Sequence, residues 1–286
     1  MVELILAGIS LGSIYSLAGL GFVLVFNATR AVNFAHGDLV VLGGMVAAAT
    51  ATVLGVSPWL VLLAVPLVMF PLGVGLEIVA FRRLREKNFS SALTISIAIS
   101  LILSSGMLIV LGPEPRRLRP LVDGQLQVGS VTMTWQSLII VCVTAVLVAI
   151  QWWLFQHTSL GFKLQAAAQD PETARLMGIP VNRMTWLTVG FAVTYAGVAG
   201  VLVSPVVILS SSSGSALILK IYIAVVIGGF GSAMGAVIGG LSLGVLEVMI
   251  TGYVTSGYVD ALIYAALFVV LLVRPQGILG KVQVRV

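Results

Sequence analysis

The sequence predicts an all-α, polytopic integral membrane protein with about eight to nine transmembrane helices, and three observations lead there. Only 9% of the 286 residues are charged and 59% are hydrophobic, with a mean hydropathy of +1.14; soluble domains carry about 25% charged residues. The apolar residues gather in runs of roughly 20, the length of one helical crossing. Thirty-one glycines lie largely within these runs, as suits membrane helices better than soluble ones. One transmembrane domain, 1–286, accounts for the whole chain.

In chain order the apolar segments are 4–26, 37–56, 59–81, 90–111, 136–155, 184–204, 217–230, 235–252 and 258–273. None shows barrel alternation, so each must satisfy its backbone as a helix. The first lacks a basic start and a small-residue cleavage site, and is expected to remain as a span. Pro66 and Pro71 predict a kink in the third. Cys142 stands alone in the fifth, which excludes a disulfide framework or thiolate metal site. The seventh is short: its fourteen residues rise about 21 Å, against roughly 30 Å of bilayer core. It ends at GGFGS, 228–232, and reads as a half-span or a helix with a glycine break.

Orientation follows from Lys and Arg. With the N-terminus outside and nine crossings, eleven basic residues are cytoplasmic: Arg30, Arg82, Arg83, Arg85, Lys87, Lys163, Arg175, Arg183, Arg274, Lys281 and Arg285. Arg116, Arg117 and Arg119 lie outside, and Lys220 in the membrane. Counting 217–252 as one crossing gives eight against six, a poorer fit to the positive-inside rule. The net charge of +5 is thereby explained without nucleic acid, since no basic run is interleaved with aromatics.

Between the fifth and sixth spans lies the polar stretch QAAAQDPETARLMGIP, 165–180, on the cytoplasmic side. Asp170 suits the N-cap, Pro171 the first helical position and Glu172 the positive dipole end. Gly178 suits a left-handed C-terminal position, and Pro180 prevents continuation. A helix over 171–177 follows, too short to stand without packing. Ala174 and Met177 fall on one side with Leu176 beside them, while Arg175 points elsewhere. The stretch is either a capped connecting turn or a helix docking into a soluble partner. The Leu176–Met177 pair favours docking, because a polar loop offers it no home.

The segment AAQDPETARLMGI resembles the cytoplasmic loop of bacterial ABC-importer permeases of the branched-chain amino-acid (LivH-like) type. In that family the loop forms the coupling helix, seated in a cleft of the ATP-hydrolysing subunit. RAVNFAHGDLVVLGG, LKIYIAVVIGGFGSAMGAVIGG and LLVRPQGILG match as well, so the resemblance covers nearly the whole chain. It implies coupling roles for Asp170, Pro171, Glu172, Ala174, Arg175, Leu176, Met177 and Gly178. It also implies a multi-pass protein of the bacterial inner membrane with no cofactor of its own. Its partners would be a second related permease, two ATP-binding-cassette ATPase subunits and a periplasmic solute-binding protein. The implied cargo is a branched-chain or other hydrophobic amino acid; the alternative is another small organic solute such as an amide, urea or a carboxylate. The family is commonly counted at eight spans, which leaves open whether 217–252 is one broken span or two.

The sequence contains no G-x-x-x-x-G-K-[ST] loop, so ATP hydrolysis is expected in separate subunits. G-x-S-x-G occurs twice, as GISLG (8–12) and GLSLG (240–244), and a serine protease would need a histidine base. The histidines are His36, at a span end, and His157, in the cytoplasmic loop; close helix packing through small residues explains the motif better. Candidates for the translocation path are Asn33, His36 and Asp38, where the chain re-enters the membrane, and Lys220 and Glu247 within spans. The first three serve either as interfacial anchors or as a broken helix lining the path. Lys220 and Glu247 form an ion pair, or Lys220 meets an anionic cargo group. Glu77 is expected to snorkel to the cytoplasmic face, and Asp260 to lie near a periplasmic end. Thr94, Ser96, Ser100 and Ser104 are expected to pack across helices. A secondary transporter needing no ATPase is the other transport reading; buried coupling carboxylates would favour it.

Overall fold

Every one of the nine apolar segments is helical in the computed structural model, which describes residues 1–81, 89–128, 131–254 and 256–280. The helices are α1 (Val2–Thr29), α2 (His36–Leu54), α3 (Pro58–Leu76), α4 (Phe89–Leu111), α5 (Trp135–His157), α6 (Ser159–Gln169), α7 (Pro171–Leu176), α8 (Val181–Val203), α9 (Gly214–Gly228), α10 (Ala233–Tyr253) and α11 (Val259–Val273). Seven are long and apolar enough to span a membrane, while α9 and α11 have 15 residues each. Pro66 and Pro71 lie inside α3, which stays helical through both and continues as a π-helix, Glu77–Phe81. A short antiparallel hairpin, β1 (Gln125–Val128) with β2 (Val131–Thr134), precedes α5. The hairpin is not among the elements expected from the sequence, although Leu126, Val128, Val131 and Met133 alternate about a Gly-Ser pair as hairpins do.

The core is built around α1 and α8. Of their most apolar stretches, 83% and 78% are buried, against 17% for α4 and α5 at the periphery. Apolar surface alone cannot drive helices together in lipid, so small residues that let backbones approach must do so. The two G-x-S-x-G motifs supply them, one on α1 and one on α10. A Cβ on Gly12 would lie 2.7 Å from the Cα of Leu241, and one on Gly244 would lie 2.2 Å from the nitrogen of Gly12. The motif that invites a serine-protease reading is thus the seam between these helices. On the other flank, a Cβ on Gly200 of α8 would meet the Val40 carbonyl of α2 at 1.9 Å.

The segment 217–252 resolves into two helices. Gly229 at φ 115° and Gly231 at φ 84° occupy backbone that side chains rarely adopt, and they turn the chain between α9 and α10. Gly228 then packs on Gly235 and Gly239 on Ala224, pairings that run in opposite directions and make the helices antiparallel. The C-terminal segment closes this turn, as Ile278 N–H donates to the Ile227 carbonyl and Leu279 N–H to that of Gly228, both at 2.8 Å.

Contacts at the helix ends sort the connections into two groups. At one end Thr132 N–H donates to Glu3, and Arg116 exchanges backbone bonds with Leu209. At the other, Arg30 donates to the Ala168 carbonyl and Asn27 to that of Gly231. Two of the three arginines expected outside find structural work. Arg116 donates to the carbonyl of Leu111, the last residue of α4, at 2.7 Å, and Arg117 to that of Pro205, just beyond the end of α8, at 2.8 and 3.0 Å. Six of the basic residues expected on the cytoplasmic side, Arg82, Arg83, Arg85, Lys87, Lys281 and Arg285, lie outside the described residues.

Candidate functional site

The polar stretch folds as its punctuation predicts. Asp170 Oδ1 accepts from the N–H groups of Glu172 and Thr173, each at 3.1 Å, and Pro171 opens α7. Bonds from the Thr173 hydroxyl and from these N–H groups hold the Asp170 carboxyl below its usual range. Its cap is present above the ordinary carboxylate pKa and lost only as pH falls through the lowered value, so it is complete at neutral pH. At the other end Gly178, at φ 77°, donates to the Arg175 carbonyl, and Ile179 N–H donates to that of Ala174, both at 3.0 Å. This paired closure is the Schellman arrangement. The helix stops at Leu176, with Met177 as its cap, one residue shorter than expected.

Two details differ from the sequence reading. Residues 159–169 form α6, so α7 is the tip of a longer helical arm. Ala174 turns away from Met177: it is buried against Leu164 and Ala167 of α6 and Val181 and Met184 of α8. Leu176 and Met177 are 88% and 78% exposed. The short helix is thus anchored by Ala174 on one side and presents a bare apolar pair on the other.

Asn33, His36 and Asp38 come together inside the bundle, and all three are buried. His36 Nε2 lies 2.9 Å from the Ala18 carbonyl, which only accepts, so Nε2 carries the proton. Ala18 is eleven residues before the end of α1 at Thr29, a distance of about 16 Å along the axis. Residues 30–35 therefore run back down beside α1, and α2 starts well below the end of its neighbour. Asn33 shapes this descent, with its Oδ1 accepting from Ala35 N–H at 3.0 Å. Asp38 accepts from the Ser100 hydroxyl of α4 and sits against Gly214, the first residue of α9. One carboxylate thus faces the positive ends of two helices, α2 and α9.

Lys220 and Glu247 form a separate cluster. Lys220 Nζ is 2.6 Å from Glu247 Oε1 and 3.5 Å from Asp260 Oδ1, while the Tyr15 hydroxyl donates to Glu247 Oε2 at 2.9 Å. Tyr15, at the middle of α1, escaped the sequence reading; no local pattern marks a residue whose partner is 232 positions away. Glu77 is fully buried rather than reaching the cytoplasmic face. Of the hydroxyl series, Ser100 bonds across helices, whereas Ser96 and Ser104 bond within α4.

Residues 4–272 match the model of the branched-chain amino acid transport system / permease component family. The chain belongs to this family. The high-affinity branched-chain amino acid transport system permease protein LivH of Salmonella typhimurium is 32% identical to it, over 97% of this chain and 94% of that protein. LivH of Escherichia coli shows the same identity and coverage. BraD, the corresponding permease protein of Pseudomonas aeruginosa, is 29% identical over 97% of this chain and 95% of that protein. Membership in this permease family and the apolar helices make the chain a multi-pass membrane protein with a place in a multi-component transport system.

Proposed function

We propose that the chain is the membrane-spanning permease subunit of an ATP-binding-cassette importer, moving branched-chain or other hydrophobic amino acids into the cytoplasm. It works in the bacterial inner membrane with a second related permease, two ATPase subunits and a periplasmic solute-binding protein. The relatives' names favour amino-acid cargo over an amide, urea or carboxylate. The absence of a phosphate-binding loop from the sequence favours hydrolysis in separate subunits.

The exposed Leu176–Met177 pair carries this reading, because it sits on a helix held at both ends. A force applied there passes through Ala174 into α6 and α8, and α8 is one of the two central helices. Closure of the ATPase subunits would thereby reorient the spans, giving alternating access. Asp170, Pro171, Glu172 and Gly178 set the aim of the helix, Arg175 borders the apolar pair, and Ala174 anchors it.

Replacing Leu176 by Asp puts a carboxylate into the docking contact, where an unpaired buried charge costs several kcal/mol. Each 1.4 kcal/mol is tenfold in affinity, so association falls by orders of magnitude. The spans are untouched, so the variant should insert normally yet lose both ATPase co-purification and amino-acid uptake. Wild-type uptake by the inserted variant would show that α7 is only a capped turn.

A further inference from the structure

A cavity of about 550 Å³ lies at the end of the bundle that carries α6, among α1, α5, α6 and the α9–α10 turn. Its size falls within the range of about 300–1,000 Å³ usual for small-molecule sites. Most of the wall is apolar, including Leu24, Val148, Phe230 and Met234. Two polar groups on it stand out. Gln151 is 5% exposed, and its buried Oε1 has no hydrogen-bond partner among the described residues. A buried acceptor is costly to leave unmatched, so this oxygen calls for a donor from whatever fills the space. Arg30 brings the positive charge. One of its nitrogens, Nη2, donates to the Ala168 carbonyl at 3.1 Å, which leaves other N–H groups of the planar fork for an anion.

We propose that this cavity is a cargo site at the cytoplasmic end of the permease, specific for an α-amino acid with an apolar side chain. The carboxylate pairs with Arg30, the ammonium donates to Gln151 Oε1, and the side chain lies against Leu24, Val148, Phe230 and Met234. The site rests on the transport function proposed above and gives it a location. It also touches the coupling arm: the guanidinium that takes the carboxylate holds Ala168 in the C-terminal turn of α6, two residues before the Asp170 cap. Occupancy at Arg30 is therefore felt directly by the segment that carries α7.

The assembled transporter, purified without its periplasmic binding protein, tests this with a diazirine analogue of leucine as probe. Irradiation should place adducts on residues 148–156 and 230–234, and excess L-leucine should suppress them. Arg30 has φ 56°, so Arg30→Asn suits the left-handed backbone while removing the charge. Arg30→Asn and Gln151→Leu should each weaken protection by L-leucine roughly tenfold or more, and Arg30→Lys should weaken it less. If Arg30→Asn disturbs assembly through the lost Ala168 bond, Gln151→Leu decides. Adducts confined to other helices, or adducts that L-leucine does not compete, overturn the site. ATP-driven leucine uptake by the same complex, reconstituted in lipid vesicles with its periplasmic binding protein restored, separates the two ideas. Uptake with an unlabelled cavity overturns the site alone, whereas absence of uptake by the wild-type complex sinks the transport function itself.

Discussion

Removing the Lys220 ammonium would leave the Glu247 carboxylate, 12% exposed, with little beyond the Tyr15 hydroxyl. Breaking a fully buried pair costs about 3–5 kcal/mol, while exposed pairs contribute at most about 1. With Lys220 at 20% exposure, the expected loss for Lys220→Met is about 2 kcal/mol between those limits. It should be visible as a lower melting temperature of the purified complex. Lys220→Met combined with Glu247→Leu removes both charges and should recover most of that stability. Recovery of uptake in the double variant would exclude Lys220 from direct contact with cargo; a stable but inactive double variant would place it on the path. Asp170 gives the opposite kind of expectation. Its depressed pKa puts the loss of the cap in the acid range, so ATPase association should be flat between about pH 6 and 8. A decline on acidification across that window, reversed by Asp170→Asn, would contradict the assignment. Of these groups, the Lys220–Glu247 pair could be anticipated from two opposite charges in neighbouring spans. Tyr15 and the orphan oxygen of Gln151 could not, because their significance lies in what is or is not beside them.

The helical elements were legible because a bilayer leaves an apolar run no other way to satisfy its backbone. The cap signals around 170–178 were legible for a similar reason: Asp, Pro and Gly each act within one turn. Elements whose form depends on distant partners were not. The descent of residues 30–35 needs the Ala18 carbonyl, and the tail at Ile278 and Leu279 needs the last carbonyls of α9. α6 was legible in principle, since buried Gly161, Leu164 and Ala167 recur every three residues. The α1–α10 seam is the element most open to attack. Gly12→Ala adds a methyl group 2.7 Å from a backbone Cα and should cost about 1–3 kcal/mol. Gly244→Leu should prevent the two helices from meeting, read as loss of folded protein in the membrane fraction. Ser10→Ala and Ser242→Ala should keep full uptake, as expected of serines that occupy a packing motif. An inactive but folded Ser10→Ala variant would revive a chemical role for the motif.

At the scale of the whole molecule, the charge asymmetry and the end-to-end contacts make one combined claim. Nine helices among the described residues connect two ends of the bundle, so Glu3 near the start of α1 and the segment at Leu279 lie at opposite ends. Glu3, Thr132, Arg116 and Leu209 mark one end; Arg30, Ala168, Gly231 and Leu279 mark the other. The 15 residues of α9 rise only about 22 Å, short of a bilayer core of roughly 30 Å. Its crossing is therefore completed by the α9–α10 turn and by residues 204–213, where buried Leu209 pairs with Arg116. An even number of crossings would put α7 and the tail segment at Leu279 on opposite faces, whereas the contacts put them at the same end. Single cysteines at Arg175, Ile278 and Asp123, each in a Cys142→Ala background, distinguish these arrangements. In intact spheroplasts an impermeant thiol reagent should label Asp123→Cys alone. After the membrane is opened, Arg175→Cys and Ile278→Cys should label as well, the latter more slowly because the tail is held against α9. Labelling of Ile278→Cys from outside would break the odd count of crossings, and labelling of Arg175→Cys from outside would remove α7 from the face where an ATPase can reach it.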